Sequence, residues 1–124
     1  MLFEGIGRTF STENDRQYET IGAFWDELAA KYGLENLQGL GYGWTERTIE
    51  YCIGLKTGRI DGANRCLRLP DDGWTQVRGR TEDLERIYAE IYRGGRLAYE
   101  IERFTDGGDC EILYWRSGSR RSSS

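Results

Sequence analysis

The chain has 124 residues, a formal charge of −4 and no histidine. That length gives one domain with a modest core rather than two. Interspersed acids and bases without a clustered basic excess argue against a nucleic-acid surface. The lack of histidine excludes a Ser-His-Asp triad, a Cys-His dyad and any His-ligated metal, leaving Glu, Asp, Tyr and Lys for acid–base chemistry.

No apolar run approaches the ~18 residues of a membrane span, and no charged-then-apolar leader opens the chain. Cys52, Cys66 and Cys110 are an odd set without CxxC spacing. Reduced thiols and a cytoplasmic setting are expected, with no cofactor and no metal. Four tryptophans and eight tyrosines stand beside 17 glycines. Aromatics bury much area while keeping a polar tip, so they suit a core or a pocket wall.

In chain order, LFEGIGRTF alternates loosely and reads as a strand. STEND supplies helix N-cap candidates with acids near the positive end of the helix dipole. Tyr18, Ile21, Trp25, Leu28 and Tyr32 then recur at spacings of three and four, a helix with Phe24 on its flank and Gly33 as its stop. NLQGLGYGWTERTIEYCIGLK reads as a hairpin turning near Thr45 to Arg47. Strand alternation puts Leu40, Tyr42 and Trp44 on one face and Gly39, Gly41 and Gly43 on the other. GLGYG lacks the GxGxxG spacing and leads into a strand, which argues against a phosphate loop. The glycine face implies instead a very close neighbour or a bend.

TGRIDGAN is a loop, and NRCLRLPDDGWTQVRGR gives extended pieces around a PDDG turn. Thr81 opens a second helix with Glu82 and Asp83 in its first turn. Leu84, Ile87, Tyr88, Ile91 and Tyr92 line one of its faces, and Gly94-Gly95 end it. RLAYEIERF and DCEILYW form a last hairpin around TDGG. RSGSRRSSS has no apolar pattern, so residues 1–116 form the domain and 117–124 a disordered tail or cloning remnant.

The order β-α-β-β occurs twice. It predicts an α+β fold of duplicated units, with two helices over an antiparallel sheet. In RLAYEIERF, Glu100, Glu102 and Phe104 share one strand face. If that face meets water or a cross-strand arginine, the glutamates only solubilise. If it lines a cavity, they are a site. Asp109 and Glu111 on the last strand read as solvated.

Taken in order, GxGRTF, IGAFWDEL, LPDDGW, IERF and EILYW resemble the GyrI-like small-molecule-binding domain. This is the effector-binding module of AraC- and MerR-type multidrug regulators, and the resemblance runs over about residues 2 to 116. It implies a ligand cleft near a pseudo-twofold axis. It also implies a carboxylate on the penultimate strand, in an aromatic-Glu-x-aromatic motif, that contacts bulky cationic drugs or dyes. The matching stretch is Ile101-Glu102-Arg103-Phe104, with Ile101 in place of the first aromatic, so the role falls to Glu102. The expected walls are Tyr42, Trp44, Trp74, Phe104 and Trp115, with Tyr51 and Trp25 next.

With no helix-turn-helix ahead of it, the chain resembles stand-alone members, some carried by mobile integron cassettes. The expected ligand is a lipophilic cationic or aromatic small molecule bound by a monomer or homodimer, without direct contact to nucleic acid or membrane. Binding without turnover is the favoured reading. The alternatives are a hydrolase using Glu102 as general base on reactive cyclopropane-type compounds, and an interaction module acting on a topoisomerase.

Overall fold

A computed structural model describes residues 1–116; the expectation for residues 117–124 lies outside them. The elements are β1 (Leu2–Ser11), α1 (Arg16–Tyr32), β2 (Leu37–Tyr42), β3 (Thr48–Leu55), β4 (Arg65–Arg68), β5 (Thr75–Arg80), α2 (Leu84–Arg93), β6 (Leu97–Phe104) and β7 (Asp109–Arg116). The fold is α+β. Seven strands pair antiparallel in the order β4-β1-β3-β2-β6-β7-β5.

The spacing that predicts α1 buries Phe24, Trp25 and Leu28 against the sheet. The helix stops where Gly33 takes φ +91°, its N–H bonding the Ala29 carbonyl. Its start differs from expectation. No STEND side chain caps it; Asn14 and Asp15 instead turn the chain in left-handed conformations, φ 55° and 57°. Such residues tolerate that region through their short polar side chains. α2 buries Ile87, Tyr88 and Ile91, and Gly95 at φ +116° turns the chain towards β6.

The sheet packs on both faces. On the helix side, Leu37, Ile53 and Ile112 meet Phe24, Leu28, Ile87 and Ile91. On the far side, Phe3, Leu40, Cys52 and Ile101 form a second apolar cluster with Leu69 and Trp74. Residues 69–74 link the two edge strands, β4 and β5, across that far face. A flat seven-stranded sheet is about 29 Å wide at ~4.8 Å per strand. The chain from Arg68 to Thr75 reaches at most about 25 Å. The sheet therefore curls around this strap, with its helix side convex. Two indole N–H groups fasten the strap: Trp74 donates to the Pro70 carbonyl at 2.8 Å and Trp115 to the Asp72 carbonyl at 3.1 Å.

At the middle of the sheet, β2 meets β6. Gly39 lies opposite Glu102 and Gly41 opposite Glu100. A register shift between Leu97 and Tyr99 lets Leu97 and the glutamates face the helices while Tyr99 and Ile101 face the strap.

Candidate functional site

A cleft of about 630 Å³ opens between α1, α2 and the helix side of the sheet. β6 supplies Glu100, Glu102 and Phe104, and β3 supplies Ile49 and Tyr51. α1 contributes Gln17, Tyr18, Ile21 and Trp25; α2 contributes Leu84, Tyr88 and Tyr92. The glycine face of β2 makes room for them. A methyl group on Gly39 would overlap the Tyr51 hydroxyl and the Trp25 ring, and one on Gly41 would lie 3.1 Å from Glu100 Cγ. The close neighbour implied by GLGYG is thus this set of polar and aromatic side chains.

Glu102 is 6% exposed. Its Oε1 accepts a hydrogen bond from the Tyr51 hydroxyl and its Oε2 one from the Tyr88 hydroxyl at 2.5 Å. The Trp25 indole N–H donates to the Tyr51 oxygen at 2.9 Å, completing a buried chain from α1 through β3 to β6. Its neighbours across the sheet are Gly39 and Ile112. No arginine or lysine forms an ion pair with Glu102 among the described residues. Arg103, on the opposite face, pairs with Glu111 at 3.0 Å. Burial pushes the Glu102 carboxyl above its ordinary range, and the phenol and indole donors oppose that rise.

Glu100 is 4% exposed and accepts from the Tyr92 hydroxyl at 2.7 Å. Burial first, and the neighbouring Glu102 second, raise its pKa to about 8. The same burial, with the two carboxylates nearby, lifts Tyr51, Tyr88 and Tyr92 well above the usual phenol range, so all three remain donors. Aromatic contacts set the walls. Trp25 and Phe104 meet edge to face at 5.0 Å between centroids, and Tyr88 stacks on Tyr92 at 5.5 Å.

The cleft's charge is one-sided. Among the described residues its lining includes six acidic side chains, Asp26, Glu82, Glu85, Glu100, Glu102 and Asp106, and neither lysine nor arginine. Among the described residues no cluster of three or more Cys, Asp or Glu side chains is arranged to hold a metal ion.

Of the eight residues singled out from sequence, the cleft brings together Glu102, Phe104, Tyr51, Trp25 and Trp44. Tyr42, Trp74 and Trp115 lie elsewhere. Tyr42 and Trp74 pack in the strap-side cluster, and Trp115 reaches the same face through Tyr99. Tyr42 and Trp44 do not share a face as simple alternation predicts, because Gly43 adopts φ +62° and swings Trp44 round to the helices. The Tyr42 hydroxyl instead accepts from Arg65 at 2.6 Å. The indole N–H groups of Trp74 and Trp115 are engaged by the strap carbonyls.

The sequence places Glu100 beside Glu102 on the candidate face, but the family motif assigns the ligand contact to Glu102 alone, and Tyr88 and Tyr92 read only as a helix face. The available signal was the match between two tyrosines four apart on a helix and two glutamates two apart on the following strand. Asp109 is exposed and pairs with Arg80, whereas Glu111 is half-buried between Arg103 and Gln76. Comparisons of the chain with family profiles, with curated proteins and with solved structures find no match.

Proposed function

We propose that the protein binds lipophilic organic cations in this cleft, with Glu102 as the charged anchor. One observation carries the reading: a buried carboxylate, held by neutral donors, faces an aromatic-walled cavity whose charged lining residues, among those described, are all acidic. An ionised carboxylate without a counter-charge is costly in such surroundings. A bound cation supplies that charge. Aromatic faces add cation–π attraction of about 0.5–2 kcal/mol per contact. Burying ~200 Å² of apolar ligand surface contributes about 5 kcal/mol gross, of which association costs remove a large share. Micromolar affinity is the expected result.

The topology supports the GyrI-like reading. Each half runs first-third-second, β1-β3-β2 and β5-β7-β6, and the halves meet at β2 and β6. This is the arrangement that a duplicated β-α-β-β unit produces about a twofold axis, with the cleft beside the junction.

The test is a titration with tetraphenylphosphonium, followed by tryptophan fluorescence, on wild type and Glu102→Gln. Saturation in the micromolar range with at least a tenfold loss in the variant, about 1.4 kcal/mol, supports the reading. Absence of binding to wild type, or equal binding to both, refutes it.

A second reading draws on the same carboxyl. A glutamate with a raised pKa beside phenol donors suits general-base activation of water on a reactive cyclopropane-type compound. Turnover of such a compound by substoichiometric protein, lost in Glu102→Gln, would replace binding by hydrolysis.

A further inference from the structure

Glu100 and Glu102 are two anchors with different surroundings. Both oxygens of Glu102 are engaged, by phenols that are themselves buried: Tyr51 at 1% exposure and Tyr88 at 5%. Glu100 is equally buried; its Oε1 accepts from Tyr92 at 2.7 Å, while Tyr88, which also faces it, directs its hydroxyl to Glu102. Tyr92 is 37% exposed, so this carboxylate is held from the cleft's mouth rather than its depth. Glu100 itself lines the cavity. A further acceptor, Gln17 Oε1, lines the same cleft and is buried without a partner among the described residues.

Two carboxyl groups one strand repeat apart, about 7 Å between Cα atoms, do not both ionise cheaply in a cavity that, among the described residues, has no basic side chain in its lining. A single cation at Glu102 leaves Glu100, its pKa raised to about 8, holding its proton, and a second cation would take that proton's place. Resting on the cation-binding reading above, we propose that Glu100 is a second cation subsite. The preferred ligand then carries two cationic nitrogen centres on a flat apolar frame, separated by on the order of 7 Å. The inner centre sits at Glu102. The outer centre bears N–H groups, which bond the Glu100 carboxylate in the manner of an amidine or a protonated amine.

A matched pair of probes tests this: naphthalene-2,6-dicarboxamidine against naphthalene-2-carboxamidine, titrated calorimetrically into wild type, Glu100→Gln and Glu102→Gln. For wild type the dication binds at least tenfold tighter than the monocation. In Glu100→Gln that advantage falls below threefold while monocation affinity changes less than threefold. Glu102→Gln weakens both probes. Tyr92→Phe, at the half-exposed mouth, provides an independent variant should Glu100→Gln fold poorly; loss of its phenol donor lowers the dication advantage by about threefold. Equal affinities in wild type, or an advantage that survives Glu100→Gln, overturn the second subsite while leaving Glu102 as the anchor. Binding of neither probe, or unchanged binding in Glu102→Gln, overturns the cation-binding reading as well.

Discussion

Replacing Glu100 with glutamine removes one buried acid and almost no volume, and its consequence for folding has a definite sign. Facing Glu100 are Glu102 on its own strand, Tyr88 and Tyr92 on α2, and Tyr18 on α1. None carries positive charge. Burial and Glu102 raise the Glu100 pKa from the ordinary 4.5 to about 8. An acid whose pKa is higher when folded favours the folded state at low pH. That contribution is lost as pH rises from 4.5 through about 8. Each pH unit of difference is worth about 1.4 kcal/mol, so the full swing is on the order of 5 kcal/mol, with about 4 kcal/mol falling between pH 5 and pH 9. Urea unfolding of wild type and Glu100→Gln across that interval is the assay. At pH 5 the two lie within about 1 kcal/mol, since glutamine resembles the protonated acid. By pH 9 the variant is the more stable by about 4 kcal/mol. A stability difference that stays flat from pH 5 to pH 9 would mean that Glu100 titrates as a solvated carboxyl, and the buried pair would be refuted.

Other expectations rest on other contacts. Tyr51→Phe leaves Glu102 short of a donor and the Trp25 indole short of an acceptor, so a loss of about 1–3 kcal/mol is expected in denaturant unfolding. Gly39→Ala sets a methyl against Tyr51 and Trp25. It costs about 1–3 kcal/mol and shifts tryptophan emission, whereas Gly22→Ala, with open space around it, does neither. Trp74→Phe and Trp115→Phe change tetraphenylphosphonium affinity less than twofold, because both rings lie on the strap side; a tenfold loss would place them in the cleft. Of the three thiols, Cys66 is exposed while Cys52 and Cys110 are buried. Burial also pushes the Cys52 thiol up to about 12. A disulfide reagent therefore titrates one cysteine rapidly in the folded protein and all three in denaturant.

The elements were legible because each carries a local pattern. Period-3.6 apolar spacing marks α1 and α2, Gly33 and Gly94-Gly95 mark their ends, and alternation with tight turns marks both hairpins. The glutamate face of β6 was legible for the same reason, since strand geometry alone puts Glu100, Glu102 and Phe104 together. What the sequence hid was long-range. Nothing local tells that residues 69–74 cross the far face, so Trp74 and Trp115 look like pocket walls when they are fasteners for a strap. Nothing local shows that Gly43 takes a positive φ, so Tyr42 and Trp44 look like neighbours when the sheet separates them. The start of α1 was misread because STEND has the right composition for a cap, yet the chain uses left-handed Asn14 and Asp15 instead.

The separation of faces explains why one small domain tolerates so costly a site. Two buried carboxylates, and a cleft left unfilled between helices and sheet, both oppose folding. They lie on the helix side, where β2 presents Gly39 and Gly41 opposite the two glutamates. The same strand presents Leu40 to the far side, with 0% exposure, beside Cys52 at 0% and Ile101 at 1%. β6 divides likewise, with Glu100 and Glu102 towards the cleft and Ile101 towards the strap. The alternation that brings the glutamates to the cavity therefore places apolar side chains behind them. Every residue that makes the site expensive has a chain neighbour in a well-packed layer. Filling the strap side less well should then weaken the whole fold, whereas filling the cleft should strengthen it. Leu40→Ala, a buried truncation, costs about 2–5 kcal/mol. Glu102→Gln removes a charge from burial and, measured above pH 7, destabilises less than Leu40→Ala or not at all. The opposite ranking would mean that the glutamate is a structural keystone rather than a carboxylate held ready for a cation.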